Sequence, residues 1–413
     1  MAAPRRAAGR LIARRADRGA RATGMAAETA IGDPETRRLL DTVVETGATD
    51  LHLATGRPPI LRRDGALAAL PGAPPLDAEA IETVLAAIAD EGARARFEAS
   101  GEADFAFALA DRARFRANAF RTVAGPSLAL RRIPPTPPAI EDLGAPPAVA
   151  GLADLSDGLV LVTGPTGSGK STTLAALVAR IDARRPCHVL TIEDPIEYVH
   201  RGDRALIQQR EVGRHTGSFA AALRAALRED PDVLLVGEMR DLETVSLALT
   251  AAETGQLVLA TLHTPSAAKS IDRIIDVFPG ADQARVRAQL ATALRAVVAQ
   301  TLLPVPDPPG GRVAAFEVMI ATGAIRNLIR EAKVPQIDTM MQMGARHGMR
   351  TMADAVDALL ADGRVAREPA ERLLAGLRAE QEGGAGPSSA GPDGEGEGAA
   401  SAPPHARRAR LRY

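Results

Sequence analysis

The stretch "GPTGSGKS", Gly164 to Ser171, matches the pattern G-x-x-x-x-G-K-[ST] and stands between an apolar run, "GLVLVT", and an amphipathic one, "STTLAALVARI". A loop with this spacing folds as the turn from a buried strand into a helix, because its glycines let successive backbone N–H groups face one anion at the positive end of that helix. Further short apolar runs, "HVLTIE", "DVLLVG" and "QLVLAT", alternate with the helical patterns "SFAAALRAALRE" and "LETVSLALTAAE". Strands covered on both faces read this way, so the second half of the chain is expected to be an α/β fold with a mainly parallel sheet. More helices are expected around 281–300, 323–333, 335–345 and 351–361.

The block from about 33 to 132 has a different texture. "LHLAT" and "PILRR" alternate like strands, Asp64-Gly65 supplies a turn before "ALAAL", and "DAEAIETVLAAIADEGARARFEA" has helical spacing led in by Leu76 and Asp77. "ADFAFAL" and "RFRANAFRT" alternate again, joined at Asp111-Arg112, so a small α+β domain is expected over 31–132. Six prolines in "IPPTPPAIEDLGAPP" forbid both helix and central strand, which makes 133–149 a semi-rigid connector to an ATPase-type domain with a helical C-terminal part over 150–379. The Arg-rich residues 1–30 and the Gly/Ser/Pro/Glu-rich residues 380–413 are expected to be disordered. Met25 is an alternative start to Met1.

Fifty basic and 51 acidic residues leave a net charge of -1, so no global field favours nucleic acid or an anionic membrane. The chain has no Trp and only Tyr198 and Tyr413, which argues against a single-strand translocase with stacking aromatics. One cysteine, Cys187, excludes an intrachain disulfide and a four-cysteine zinc site, and fits a reducing cytoplasm. No apolar run approaches the roughly 18 residues that a membrane span requires. Only three of the basic residues are lysines: Lys170, Lys269 and Lys333. The compact ammonium is therefore the exception here, and Lys170 sits where a phosphate needs a point charge.

From the loop pattern, Gly164, Pro165, Thr166, Gly167, Ser168, Gly169, Lys170, Ser171 and Thr172 would wrap the phosphates of ATP. Lys170 would reach the β- and γ-phosphates, and Ser171 would ligate Mg²⁺. Glu238, at the end of "DVLLVG", fits the strand-end acid that senses Mg²⁺ and water. The preceding position, where an acid pair is common, is Gly237. Glu193, Asp194 and Glu197 end or follow a neighbouring strand and can supply what Gly237 lacks, since all strands of such a sheet open onto one crevice. The plainer reading of these three is a solvated acidic loop. His263, after "QLVLAT", fits either a hydrogen-bond donor to phosphate or a structural histidine.

The segments "GPTGSGKSTT", "TIEDPIEYVH", "LREDPDVLLVGEMRD" and "TGQLVLATLHT" resemble, in this order, the Walker A, Asp box, Walker B and His box of the secretion ATPase superfamily. "GATDLHLATGRPPILRRDG", "HTPSAAKSIDRIIDVFPG" and "AIRNLIREAK" extend the resemblance, over about 31–360, to the PilT family of type IV pilus retraction ATPases. It implies a PAS-like α+β domain joined to a RecA-like ATPase domain, in a ring-shaped homo-hexamer with nucleotide between the domains. ATP hydrolysis would then turn a platform protein of the inner membrane, giving a cytoplasmic motor with only peripheral membrane contact. A paralogous retraction ATPase is a further partner of the kind implied. By the same resemblance Glu197 is the catalytic base, Glu193 supports it and Glu238 organises Mg²⁺ and water. Arg116 and Arg131 face the γ-phosphate in the implied arrangement, while a solvated strand face is the rival reading for Arg112 and Arg114. "AIRNLIRE" is an amphipathic helix that the family needs for retraction. Gln256 replaces the usual second histidine of the His box, and glutamine cannot become a cation. Pilus-extension and type II secretion ATPases commonly carry a four-cysteine module, which this chain lacks.

Overall fold

Alternating apolar and polar residues between 102 and 133 make three long antiparallel strands, and these form one half of the first of two sheets. The computed structural model describes residues 31–383 apart from 64, 111 and 307–310. The expected disorder of 1–30 and 384–413, and the parts of the two turns carried by Asp64 and Asp111, therefore lie outside the described residues. α1 (Pro34–Thr46) is capped by Asp33, whose carboxylate accepts from the Thr36 N–H at 2.7 Å. Then follow β1 (Asp50–Ala54), β2 (Ile60–Arg63), β3 (Ala66–Ala69), α2 (Ala78–Ile88), α3 (Glu91–Ser100), β4 (Glu102–Leu109), β5 (Ala113–Thr122) and β6 (Gly125–Ile133). The strands form an antiparallel six-stranded sheet, β3-β2-β1-β6-β5-β4, with the stacked rings of Phe107 and Phe115 in its core.

The helical pattern expected over 77–99 is two helices rather than one. Asp90 takes an extended conformation, and its carboxylate accepts from the Ala93 N–H at 2.8 Å, so α3 starts afresh with its own cap. The proline-rich connector also differs from a free spacer. Ile140 is buried in the second core, Glu141 pairs with Arg180, and 147–150 form a helical turn. Its prolines prevent regular structure while its few apolar side chains still anchor it.

The second sheet contains β7 (Gly158–Thr163), β8 (His188–Glu193), β9 (Leu206–Glu211), β10 (Val233–Val236), β11 (Leu257–Leu262), β12 (Leu294–Pro304) and β13 (Arg312–Ile320), in the order β13-β12-β7-β11-β10-β8-β9. All pairs are parallel except β12 with β13. Between the strands lie α4 (Lys170–Arg184), α5 (Phe219–Ala226), α6 (Leu242–Glu253), α7 (Ala267–Asp276) and α8 (Gly280–Ala293). The four apolar runs read from the sequence are β7, β8, β10 and β11, and β7, β10 and β11 are buried along their whole length. The helix expected over 281–300 ends at Ala293, where the chain enters β12 instead. α9 (Gly323–Arg330), α10 (Ile337–Gln342), α11 (Met352–Ala361) and α12 (Arg367–Gly383) complete the C-terminal part, and α12 carries helix past residue 379 into the segment assigned to the tail. Among the described residues no helix is long and apolar enough to cross a membrane.

Glu317 of β13 ties this layer together. Its buried carboxylate accepts from the backbone N–H of Ala267 at 2.7 Å and of Met352 at 3.2 Å, the first residues of α7 and α11. Burial outweighs those hydrogen bonds and pushes its carboxyl up to about 7. Between the ordinary glutamate value and 7 the folded chain keeps a proton that the unfolded chain has lost, so stability is greatest at the acidic side and falls as pH rises through that window. The fall from this one group is on the order of 3 kcal/mol. Glu317→Gln is expected to remove that slope from thermal melts run between pH 4.5 and 7. An unaltered slope would show that the carboxyl is not raised.

Candidate active site

The end of β7 and the start of α4 are joined by residues 164–169, which curl because three glycines have positive φ: Gly164 at 138°, Gly167 at 78° and Gly169 at 90°. α4 therefore begins at Lys170 with its free N–H groups turned into a cleft of about 370 Å³. The Lys170 ammonium donates to the carbonyls of Gly164 at 2.9 Å and Pro165 at 3.0 Å. Burial lowers its proton affinity, and the carboxylates of Glu238 and Glu197 oppose that shift. Both acids thus act on the same ammonium. Thr166, Gly167, Gly169, Lys170, Ser171 and Thr172 line the cleft, whereas Gly164 and Ser168 are buried behind it and Pro165 is exposed outside it.

Glu193, Asp194 and Glu197 also line this cleft; the solvated reading weighed for them describes the exposed Asp194, while Glu193 and Glu197 are half-buried. Glu193 ends β8 and accepts from Thr191 Oγ1 at 2.6 Å and Gln209 Nε2 at 3.2 Å. Burial pushes its carboxyl up to about 7; those two hydrogen bonds resist the shift, and the charges of Glu197 and Glu211 add to it. Gly237 ends the neighbouring β10, and its N–H donates to Ile192 O at 2.8 Å. A Cβ at 237 would lie 3.1 Å from Ile192 O and 3.3 Å from the Glu193 Cα. The missing side chain lets the two strand ends close up, with Glu193 of β8 beside the place where β10 carries no acid. Glu238 receives His263 Nε2 at 3.2 Å and Arg240 Nε at 2.6 Å. Burial acts to raise its carboxyl, but Arg240 and His263 together hold it below the usual range.

The first sheet supplies the opposite wall. Asp50, Arg131 and Arg116 are direct cross-strand partners on β1, β6 and β5, so they form one row across the sheet. Arg131 Nε donates to Asp50 Oδ1 at 2.8 Å, and Arg116 Nη1 lies 3.8 Å from Glu197 Oε1. Both arginines line the cleft. The solvated face weighed for Arg112 and Arg114 holds for the exposed Arg112, which pairs with Asp41 and Glu45, but not for Arg114. Arg114 is buried and donates to Ile196 O at 3.0 Å, fastening β5 to the loop that carries Glu197. Asp50 and Arg240 were not singled out from the sequence. Their signal was available only for Arg240, two residues after Glu238 in "GEMRD".

A family profile described as type II/IV secretion system protein matches residues 37–312. The type IV pilus retraction ATPase PilT of Pseudomonas aeruginosa is 50% identical over 80% of this chain and 96% of its own length. The chain belongs to the PilT family of secretion ATPases. The type IV pilus ATPase PilU of the same organism is 38% identical over 81% of this chain and 87% of its own. A crystal structure of the pilus retraction motor PilT with bound ADP superimposes with a TM-score of 0.74 at 45% identity, covering 81% of this chain and 96% of that one. The family's fold of an N-terminal sheet and a larger, mainly parallel sheet with a helical C-terminal part is the fold described above.

Two family motifs fall away from the cleft. Gln256 precedes β11 and its carbonyl accepts from Gly158 N at 3.0 Å, whereas His263 follows the other end of that strand. Seven residues of strand put the two roughly 20 Å apart, so the substitution at 256 leaves the cleft's contacts intact. "AIRNLIRE" is α9 with its flanking residues; Ile325 and Ile329 are buried, and the Ala321 N–H just before it donates to Arg295 O where β12 begins. That is the sheet end remote from the phosphate loop.

Proposed function

We propose that the chain hydrolyses ATP in this cleft and, as a ring-shaped homo-hexamer, uses that reaction to retract type IV pili. The observation that carries the proposal is that Lys170, Glu197 and Glu238 line one cleft together with Arg116 and Arg131 of the first sheet. Triphosphate would lie along 164–172, its β- and γ-phosphates met by Lys170 and by the N–H groups of α4. Glu197 would take the proton from the attacking water, Glu193 would hold the strand end beside it, and His263 would keep Glu238 oriented. Arg116 and Arg131 would face the charge that develops on the transferred phosphoryl group.

Mg²⁺ fits the donor set. Ser171 at the helix start and Glu238 are hard oxygen donors that both line the cleft, the donor type that a cation shared with phosphates and water takes. When bound, it would neutralise phosphate charge.

Retraction is favoured over an accessory, PilU-like role because identity is 50% to PilT against 38% to PilU over similar lengths. The partner implied is an inner-membrane platform protein, met from the cytoplasmic side. Deleting the gene is expected to give excess pili without twitching. Loss of pili would show an extension motor instead, and salt-sensitive DNA binding by the purified chain would favour a translocase.

A further inference from the structure

Gln300, in the middle of β12, touches both ends of the phosphate loop although it is 132 residues from it in sequence. Its side chain is buried. Nε2 donates to Ser168 O at 2.6 Å, and Oε1 accepts from Thr173 Oγ1 at 2.9 Å, so one amide spans the last turn of the loop and the first turn of α4. Its own carbonyl lies under the other end, where a Cβ on Gly164 would come within 2.2 Å of it. A Cβ on Gly169 would lie 3.0 Å from the amide nitrogen. The backbone behind this residue is fixed on both sides, by β7 through Ala299 with Thr163 and by β13 through Gln300 with Phe316.

We infer that Gln300 is a positioning residue that sets the curvature of the phosphate loop and thereby the affinity for the phosphate chain of the nucleotide. An amide suits the place because one end must donate to a carbonyl while the other accepts from a hydroxyl, which neither a carboxylate nor an amine can do. A leucine would fill the volume but leave Ser168 O and Thr173 Oγ1 buried without partners, and the loop would shift to find others. The backbone carbonyl of residue 300 leaves no room for a side chain at 164, and the Gln300 amide makes 169 a tight place for one.

This inference rests on the cleft being a nucleotide site, so the test starts from the parent. Full-length protein is titrated with MgADP, and ATP hydrolysis is measured over a range of ATP. Gln300→Leu and Gln300→Glu are expected to weaken MgADP binding about tenfold or more, the lower end of what leaving buried hydrogen-bonding groups unpaired costs, and to raise KM in step, with kcat changed less than threefold. Thr173→Val, which removes only the Oε1 contact, should weaken binding by less. The double change Gln300→Leu with Thr173→Val should be no worse than Gln300→Leu. If the Gln300 variants are destabilised too far to assay, Thr173→Val alone decides, since unaltered binding in it contradicts the inference. Folded Gln300 variants with a lowered Tm but MgADP affinity within twofold of the parent would make the contact structural only and overturn the inference. A parent that does not bind MgADP would instead sink the nucleotide reading itself.

Discussion

Glu197→Gln is expected to lower kcat for ATP hydrolysis by roughly 10²- to 10⁴-fold while leaving nucleotide bound, the range associated with losing a positioned general base. The amide keeps the size of the carboxylate and removes its basicity. Glu193 is less free to take its place, because its Oε1 accepts from both Thr191 and Gln209 at the end of β8. Glu238 is likewise committed to Arg240 and His263. Glu197 has one ion-pair contact, Arg116 at 3.8 Å, and its side chain keeps 29% of its exposure. Single-turnover hydrolysis and MgADP affinity, measured together, check the expectation. A kcat within threefold of the parent would remove Glu197 from the role of base and return the question to Glu193.

Arg116→Ala should cost about 10³ in kcat with little change in ADP affinity, at the lower end of what an arginine facing the transferred phosphoryl group contributes. The geometry distinguishes it from its neighbour. Arg131, although its side chain is 66% exposed, is held through Nε by Asp50 at 2.8 Å, whereas Arg116 makes only a 3.8 Å pair with Glu197. The freer guanidinium can follow charge as it develops, so Arg131→Ala is expected to be the milder of the two. Equal losses in kcat and ADP affinity for Arg116→Ala would mean that it binds the ground state, and the transition-state role would be wrong.

Much of this site was legible because phosphate chemistry leaves little freedom. The loop 164–171 needs its glycines, its lysine and its strand-to-helix context whatever surrounds it, and strands buried on both faces must be apolar throughout. The parts that escaped depend on partners distant in sequence. β12 continues the spacing of α8, with Leu290, Ala293, Leu294 and Val297 at helical intervals. It becomes a strand only because β7 and β13 flank it on both sides. β9, "LIQQRE", is an edge strand of mostly polar residues and carries no buried-strand signal. Gln300 and Asp50 are ordinary residues until the opposing loop or strand is known. Arg114 has the same two-residue spacing as Arg116, yet one is buried against the Ile196 carbonyl and the other faces the cleft.

The closeness of β8 and β10 at Gly237 restricts how such a site can be re-engineered. An aspartate grafted there, to give the side-by-side acids found in many other ATPases, would bring its Cβ to 3.1 Å from Ile192 O and 3.3 Å from the Glu193 Cα. The two strand ends would have to part by a few tenths of an ångström to admit it, so a carboxylate gained on β10 would come at the expense of the present seating of Glu193 on β8.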